Sequence, residues 1–479
     1  IVADLKSGTA AIESVSARLA GLAAGLNASI TGIDGDAPEI GGNVHLQIDS
    51  LQRTLGTLAV PLPITADETV LQTLKLTAGF KAGSDTVEVS DIVTLLDDSN
   101  LTGRLALNNF EQPAITFDLA LDAINLDRYL PPPDETEAET PPADGEAAAD
   151  PEIQLPVEML RTLNLDGRFK IGALQVMNLK TANIDTGLKA KDGIVDLEPL
   201  AVDLYQGQFR GAARLDVTGE VPVYTSTLQL SDVTVGPLMQ DFMDKRLLEG
   251  LMNVEAEVNT TGNRVSGLMQ ELDGKFALAF RDGALSMNVR ESLRNVRAKL
   301  RGEQPDPNKP VGEPTKFSSI TASGVIENGT VKNQDLEVKA RHLYVTGKGS
   351  YQLPTEVIDY VLTILLSDDG AGQDDPLNDL YDFPIEFPLK GKLDEINYAS
   401  VGLKALGSAV TGKVKAEVGA AKDAAKAELQ RKQEAARAEL ERLEAEKKAE
   451  VERQRKAREE ELKKKLEEKK KEAIRKLFD

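Results

Sequence analysis

Cysteine and tryptophan are absent from this chain. Without cysteine, disulfides, zinc–thiolate sites and thiol catalysis are excluded. Aromatic residues make up only 4% of the 479 residues. That argues against base stacking or sugar platforms, which use aromatic faces. Only two histidines occur, His45 and His342. Both lie in alternating, strand-like runs and read as structural positions rather than as bases or metal ligands. Long apolar runs are missing too. The longest, "YVLTILL" at 360–366, is far short of the ~20 residues a membrane helix requires. Among reactive signatures, no G-x-S-x-G, H-E-x-x-H or Walker pattern is present. These absences point to a protein that is not an enzyme and that needs no cofactor.

The charge is large and uneven. The formal net charge is −22, yet residues 401–479 carry 23 Lys+Arg against 17 Asp+Glu, net +6, so the preceding residues hold −28. An acidic body disfavours nucleic acid, while the basic end suits an anionic surface. The sequence opens on Ile1 in mid-pattern, "IVADLKSGTAAIESVSARLAG". It reads as the interior and carboxyl-terminal part of a longer protein.

Most of the chain alternates apolar and polar residues between Gly, Asn and Asp turns, which is the period of half-buried strands. Residues 1–130 do so in "NVHLQIDSL", "KLTAGFKAG", "DTVEVSDIVTLL", "LTGRLALNN" and "AITFDLALDAINL". Residues 131–154 open on "PPPDETEAETPPADGEAAADPE", with eight carboxylates and no basic residue. They read as a disordered acidic linker acting as a solvated spacer. Residues 155–402 return to strands. Within "DLYQGQFRGAARLDVTG" (203–219), Gly207 and Gly211 are expected at corners where strands turn or bulge. Two helices interrupt, one over 236–251 with Leu238, Phe242 and Met243 on one face. The other, over 288–302, starts at an N-cap, Asn288, and places Val289, Leu293, Val296 and Leu300 on one face.

Residues 403–479 differ. Proline is absent, and Ala, Glu, Lys and Arg dominate. Val418, Leu429, Leu440, Val451, Leu462 and Ala473 recur every eleven residues, which predicts one long, nearly straight helix. It suits either a solvated single helix or a self-associating coiled coil, with Gly412 and Gly419 as a hinge near its base. Its tip places Ile474, Leu477 and Phe478 beside Arg475 and Lys476. This is a small amphipathic end fit for a membrane surface or an envelope protein partner; the plainer reading is a frayed terminus.

Two stretches invite a site and do not hold one. "TGKGSYQL" lacks the third glycine of a nucleotide loop, and strand pattern runs through it. "SDDGAGQDDPLND" offers Asp368, Asp369, Asp374, Asp375 and Asp379, but not the order of a calcium loop with its terminal Glu. It reads as a mobile acidic loop.

So much sheet with one apolar face must hide that face. With few helices, the expected solution is a mainly β protein: a long antiparallel sheet curled into a groove, taco-like, followed by the long helix. Leu228, Leu230, Val254, Val258, Phe276, Leu278, Phe280 and Val338 are expected on the apolar interior, with Glu255, Glu257 and Lys275 outside. A trough lined this way suits acyl chains.

An ordered set of segments over residues 85–402 resembles AsmA-type proteins. It comprises "FDLALDAINLDRYLPPP", "LNLDGRFKIGALQVMNLK", "KDGIVDLEPLAVDLYQGQFRGAARLDVTG", "LDGKFALAFRDGAL", "TKFSSITASGVIENGTVKNQDLEV", "VTGKGSYQL" and "FPLKGKL". "SMNVRES" and "LYQGQ" depart from the family's usual turns. The resemblance implies the periplasmic part of a Gram-negative protein held in the inner membrane by an N-terminal helix outside this chain. It implies a β-groove that conducts phospholipids towards the outer membrane and so supports outer-membrane lipid homeostasis. A non-enzymatic scaffold that assembles outer-membrane proteins through protein contacts is the alternative.

Overall fold

The computed structural model describes residues 2–434 apart from 5–7, 20, 34, 36, 133–149, 151, 305–311, 369–374, 429 and 433. Two units are distinguished, Ile1–Gly407 and Ser408–Asp479. The first is built on one sheet of twenty strands. They are β1 (Val2–Asp4), β2 (Thr9–Leu19), β3 (Leu22–Thr31), β4 (Glu39–Ile48), β5 (Leu74–Ala82), β6 (Thr86–Leu96), β7 (Ser99–Asn108), β8 (Ala114–Asn125), β9 (Asn164–Val176) and β10 (Leu179–Lys191). The series continues with β11 (Ile194–Leu204), β12 (Gly207–Asp216), β13 (Val223–Thr234), β14 (Leu248–Thr261), β15 (Asp273–Leu285), β16 (Thr315–Glu327), β17 (Thr330–Ala340), β18 (Leu343–Gln352), β19 (Val357–Leu366) and β20 (Ile385–Lys392). Each strand pairs with the next, and β1 and β20 are the open edges.

Every pair is antiparallel except β8 with β9, which run parallel. This corrects the expectation of a purely antiparallel sheet. A parallel neighbour needs a crossover of a dozen or more residues, and the 38 residues between Asn125 and Asn164 supply it. The acidic stretch falls within this crossover of one sheet. Residues 133–149 and 151 of it lie outside the described residues. Asp150, near its end, is anchored to the sheet's connector. The Asp150 carboxylate accepts from Ser266 N (3.0 Å) and Ser266 Oγ (2.7 Å), capping α4 (Val265–Gln270) from afar.

Turn chemistry sets the meander. Two-residue turns with both residues at positive φ occur at Met177–Asn178, Asp192–Gly193, Tyr205–Gln206 and Asn328–Gly329, as right-twisted hairpins require. Gly207 is thus the first residue after a turn, not the corner itself. Gly211 sits in regular pairing with Leu200, next to a bulge on β11 at Glu198–Pro199 that faces Ala212. His342 lies in the β17–β18 turn at φ 59° instead of within a strand. The His45 ring lies across Gly25, its direct cross-strand partner.

The helices are few. In unit one α1 (Leu51–Thr57), α2 (Val157–Thr162), α3 (Val235–Met243), α4 and α5 (Val289–Leu300) occupy connectors. The expected helix over 236–251 stops at Met243, because Asp244 adopts the left-handed conformation and Leu248 begins β14. α5 matches expectation: the Asn288 side chain accepts from Glu291 N at 2.9 Å. Residues 398–428 are helical, beginning five residues earlier than expected, with the Asn397 side chain accepting from Ser400 N at 2.9 Å. The helix passes through Gly412 and Gly419 without interruption. Residues 435–479 lie outside the described residues, and with them Leu440, Ile474, Leu477 and Phe478.

The long connectors gather at one margin of the sheet, where β8 and β9 both end. They are 49–73, 235–247, 286–314 and 367–384, joined there by the start of the crossover. Fully buried apolar side chains concentrate at the same margin: Val70, Val233, Leu366, Leu377, Leu380 and Ile385. The segment that carries the family resemblance, "LDRYLPPP", works here. The Asp127 carboxylate accepts from Asn178 N (2.9 Å) and Gln175 Nε2 (3.1 Å) and caps the β9–β10 turn. Arg128 Nε donates to Asp67 (2.7 Å), and the Tyr129 hydroxyl donates to Asp97 (2.9 Å). Burial and the Asp97 contact push the Tyr129 hydroxyl up to about 12. Asp127→Ala would hand the exposed turn N–H groups to water and is expected to cost about 0.5–1.5 kcal/mol, read as a lower denaturation midpoint with an unchanged slope.

Candidate functional site: an apolar stripe across the sheet

Residues directly opposite each other on paired strands share a face. Following the register from β2 to β20 therefore traces one row. It reads Ile12, Ala28, Gly42, Phe80, Val89, Leu105, Phe117, Gly167, Leu188 and Leu197. It continues through Ala213, Ser226, Val258, Gly274, Ile326, Val331, Tyr351, Ile358 and Gly391. No charged residue interrupts it across nineteen strands. With ~4.8 Å between neighbouring strands, the contour of the stripe is about 85 Å.

The eight residues expected on the apolar interior all fall on this face. Val258 is in the row itself. Leu228 sits across Ala256 from Phe276; Leu230, Val254 and Leu278 form the next row; Phe280 reaches Val338 through Ile320. None of the eight is buried, and all are half-buried. Every member of the long row from Ile12 to Ile358 is half-buried likewise. The contrast with the packed margin is informative: the face is apolar but is not sealed as a sandwich core would be. The polar face carries Glu255, Glu257 and Lys275, all exposed, as expected. Lys275 and Glu257, directly opposite, pair at 2.9 Å.

Glycines smooth the stripe. Phe117 lies flat over Gly167 and Phe276 over Gly324, each glycine being the ring's direct cross-strand partner. A Cβ on Gly324 would sit 2.8 Å from the Phe276 ring, and one on Gly167 2.3 Å from Phe117. Gly324→Val would thus press on the ring and also on the β17 backbone, where the Lys332 carbonyl oxygen would lie 2.4 Å from the Cβ. The expected cost is about 1–3 kcal/mol, measured by thermal denaturation, with a larger loss of any bound apolar ligand.

Two hollows adjoin β11–β15. One, of about 540 Å³, is bordered by Arg210, Gln229, Glu255, Glu257 and Lys275, so it lies on the polar face. The other, of about 350 Å³, is bordered by Val195, Leu197, Leu215, Tyr224, Val258 and Thr260 and lies on the apolar face. The second belongs to the stripe, and its walls are almost wholly apolar.

At the described end of the acidic segment, Asp375 and Asp379 are tied down by ion pairs. Residues 369–374 lie outside the described residues, but Asp375 is fully shielded from solvent. Its carboxylate receives Arg294 through two bonds (3.0 and 2.8 Å), the Tyr381 hydroxyl, and Leu377 N (3.1 Å). Asp379 pairs with Arg297. Arg290 donates to the carbonyls of His342 and Ser367, both at 3.0 Å, and stacks over the Tyr381 ring. α5 thereby fastens the ends of β17 to β19 to the segment before β20. Sequence reasoning missed this clasp, although the spacing of Arg290, Arg294 and Arg297 on one helix was its available signal. "TGKGSYQL" lies in β18, with Gly347 and Gly349 under the Tyr360 ring.

A model of the AsmA family matches residues 10–336. The chain belongs to the AsmA family. No curated protein and no solved structure matches it. The AsmA match covers β3 to β16 whole, which is the greater part of the stripe, and membership suggests a role in the cell envelope. Among the described residues no helix is long and apolar enough to cross a membrane.

Proposed function

We propose that this AsmA-family chain binds the acyl chains of phospholipids along its apolar face and lets them move across the strands, towards the outer membrane. The observation that carries this reading is the uncharged row from Ile12 to Gly391, half-buried almost throughout. Leaving that much aliphatic surface wet costs about 25 cal/mol per Å², so the face favours an apolar occupant. Because the row runs perpendicular to the strands, an acyl chain meets no charged residue along it. The work is non-enzymatic, and on this proposal it takes place in the periplasm, with an anchor in the inner membrane supplied from outside this chain.

Native mass spectrometry of the purified full chain tests this. Phospholipid should co-purify at one or more copies per chain, released on denaturation. A chain free of lipid in repeated preparations would instead favour a scaffold that works through protein contacts.

A further inference from the structure

The connector between β4 and β5 carries an exposed segment without charge, set on a fixed root. On one side of the root, Leu51 N donates to Gln72 O (2.7 Å), and Gln52 Nε2 donates to the carbonyls of Glu68 (3.2 Å) and Val70 (2.9 Å). On the other, Ala66 N donates to Leu130 O (2.7 Å) and Asp67 N to Arg128 O (3.1 Å). Val70, within the root, is wholly buried. Between these ties every residue from Gly56 to Ile64 is exposed. The tip holds Leu58, Val60, Leu62 and Ile64, and Ile64 is 74% exposed. No charged residue occurs from Thr54 to Ala66.

Water is a poor surrounding for such a tip, since exposed clusters of large apolar side chains mark contact surfaces. The four large side chains stand at every second residue, with Ala59, Pro61 and Pro63 between them. A residue before proline favours an extended course, so the tip is apolar on both of its sides. A partner protein's surface would cover one side; a bilayer surrounds both. The backbone points the same way. Pro61 and Pro63 carry no N–H, so from 61 to 64 only Leu62 and Ile64 have a donor to strip of water. That lowers the cost of entering a phase without hydrogen-bond partners. The crossover that begins beside the root, at Leu130, has no large apolar side chain from Pro131 to Ala149 with which to pack on the tip.

We propose that the tip from Leu58 to Ile64 inserts into the surface of a phospholipid bilayer and docks this margin of the sheet on it. The rigid root holds the tip out, and the uncharged stretch from Thr54 to Ala66 sets how much of the connector enters. Docking is a contact with a bilayer, separate from the carriage of single lipids along the stripe, and neither requires the other.

Because the chain has no tryptophan, a single introduced one reports alone. Leu62→Trp is compared in the full chain with Phe110→Trp, which lies in the β7–β8 turn at the opposite ends of the strands and is 45% exposed. Vesicles of dioleoyl phosphatidylcholine are added, which offer the basic end of the chain no net anionic surface. Leu62→Trp emission should shift to the blue and be quenched by brominated acyl chains, while Phe110→Trp should do neither. Adding Ile64→Asp to Leu62→Trp should weaken vesicle binding about tenfold, since interfacial binding scales with the apolar area buried. No shift at Leu62→Trp, or the same shift at both positions, would overturn the proposal. So would emission at Leu62→Trp that is already blue before vesicles are added, which would place protein, from this chain or a second copy, over the tip. Lipid that co-purifies with the chain is read separately by native mass spectrometry: lipid present with Leu62→Trp unshifted overturns docking alone, and a shift in a lipid-free chain overturns the stripe alone.

Discussion

Asp375→Ala is expected to lower stability by about 1–3 kcal/mol, because it removes the shielded carboxylate that receives two bonds from the half-buried Arg294, the Tyr381 hydroxyl and Leu377 N, leaving Arg294 with Glu291. The loss should appear as faster amide exchange in β19, β20 and α5, which the clasp joins, with little change in β5–β8. Replacing both partners, Asp375→Leu with Arg294→Leu, should recover much of that loss, since a buried ion pair is often no better than an apolar pair of similar volume. Wild-type exchange rates in Asp375→Ala would show that the clasp contributes nothing. The same carboxylate sets a pH dependence. Burial alone would push the Asp375 carboxyl up; Arg294, Tyr381 and the Leu377 N–H outweigh burial and hold it well below the usual carboxylate range. A depressed carboxyl contributes stability that is complete above its unfolded value, about 3.9, and is lost as pH falls below that towards the folded value. Stability measured from pH 5 downwards should therefore fall, and Asp375→Ala should flatten that fall.

Leu278→Asp is expected to abolish most lipid occupancy, by tenfold or more. Leu278 lies between Val254 and Ala322 on the apolar face, and a carboxylate there has no partner. The cost to folding is about 1–3 kcal/mol, as for other polar groups placed without hydrogen bonds in proteins, since the site is half-buried. Ala277→Asp, one residue away, points to the exposed face opposite Glu255. It should cost below about 1 kcal/mol through like-charge repulsion and leave lipid binding unchanged. Equal effects of the two substitutions would remove the distinction between the faces.

The faces were legible in the sequence because a strand's side chains alternate with a period of two, and that period survives in β13–β15, with Thr225, Thr227 and Gln229 outward on β13 and Glu255 and Glu257 outward on β14. Turns at Asp192–Gly193 and Asn328–Gly329 were legible as dipeptides that accept positive φ. Tyr205–Gln206 and Met177–Asn178 take the same conformation without that signature; their conformation is imposed by pairing on both sides and, at the second, by Asp127. The false extension of α3 came from Leu248 and Leu251, which continue a helical spacing by coincidence, while the left-handed Asp244 that ends the helix gives only a weak local signal. The parallel β8–β9 pair and the Arg294–Asp375 clasp are long-range. The clasp joins residues 81 apart, and a single sequence carries no record of which distant charges meet.

The most direct measurement places a photoreactive phenylalanine analogue at single positions and identifies adducts by mass after irradiation in phospholipid vesicles. Positions 228, 254 and 278 face the stripe, and 229, 255 and 277 face away. Phospholipid adducts at the first three and none at the second three are predicted. Adducts on both faces alike, or on neither while protein adducts form at the stripe, would contradict a lipid-carrying face.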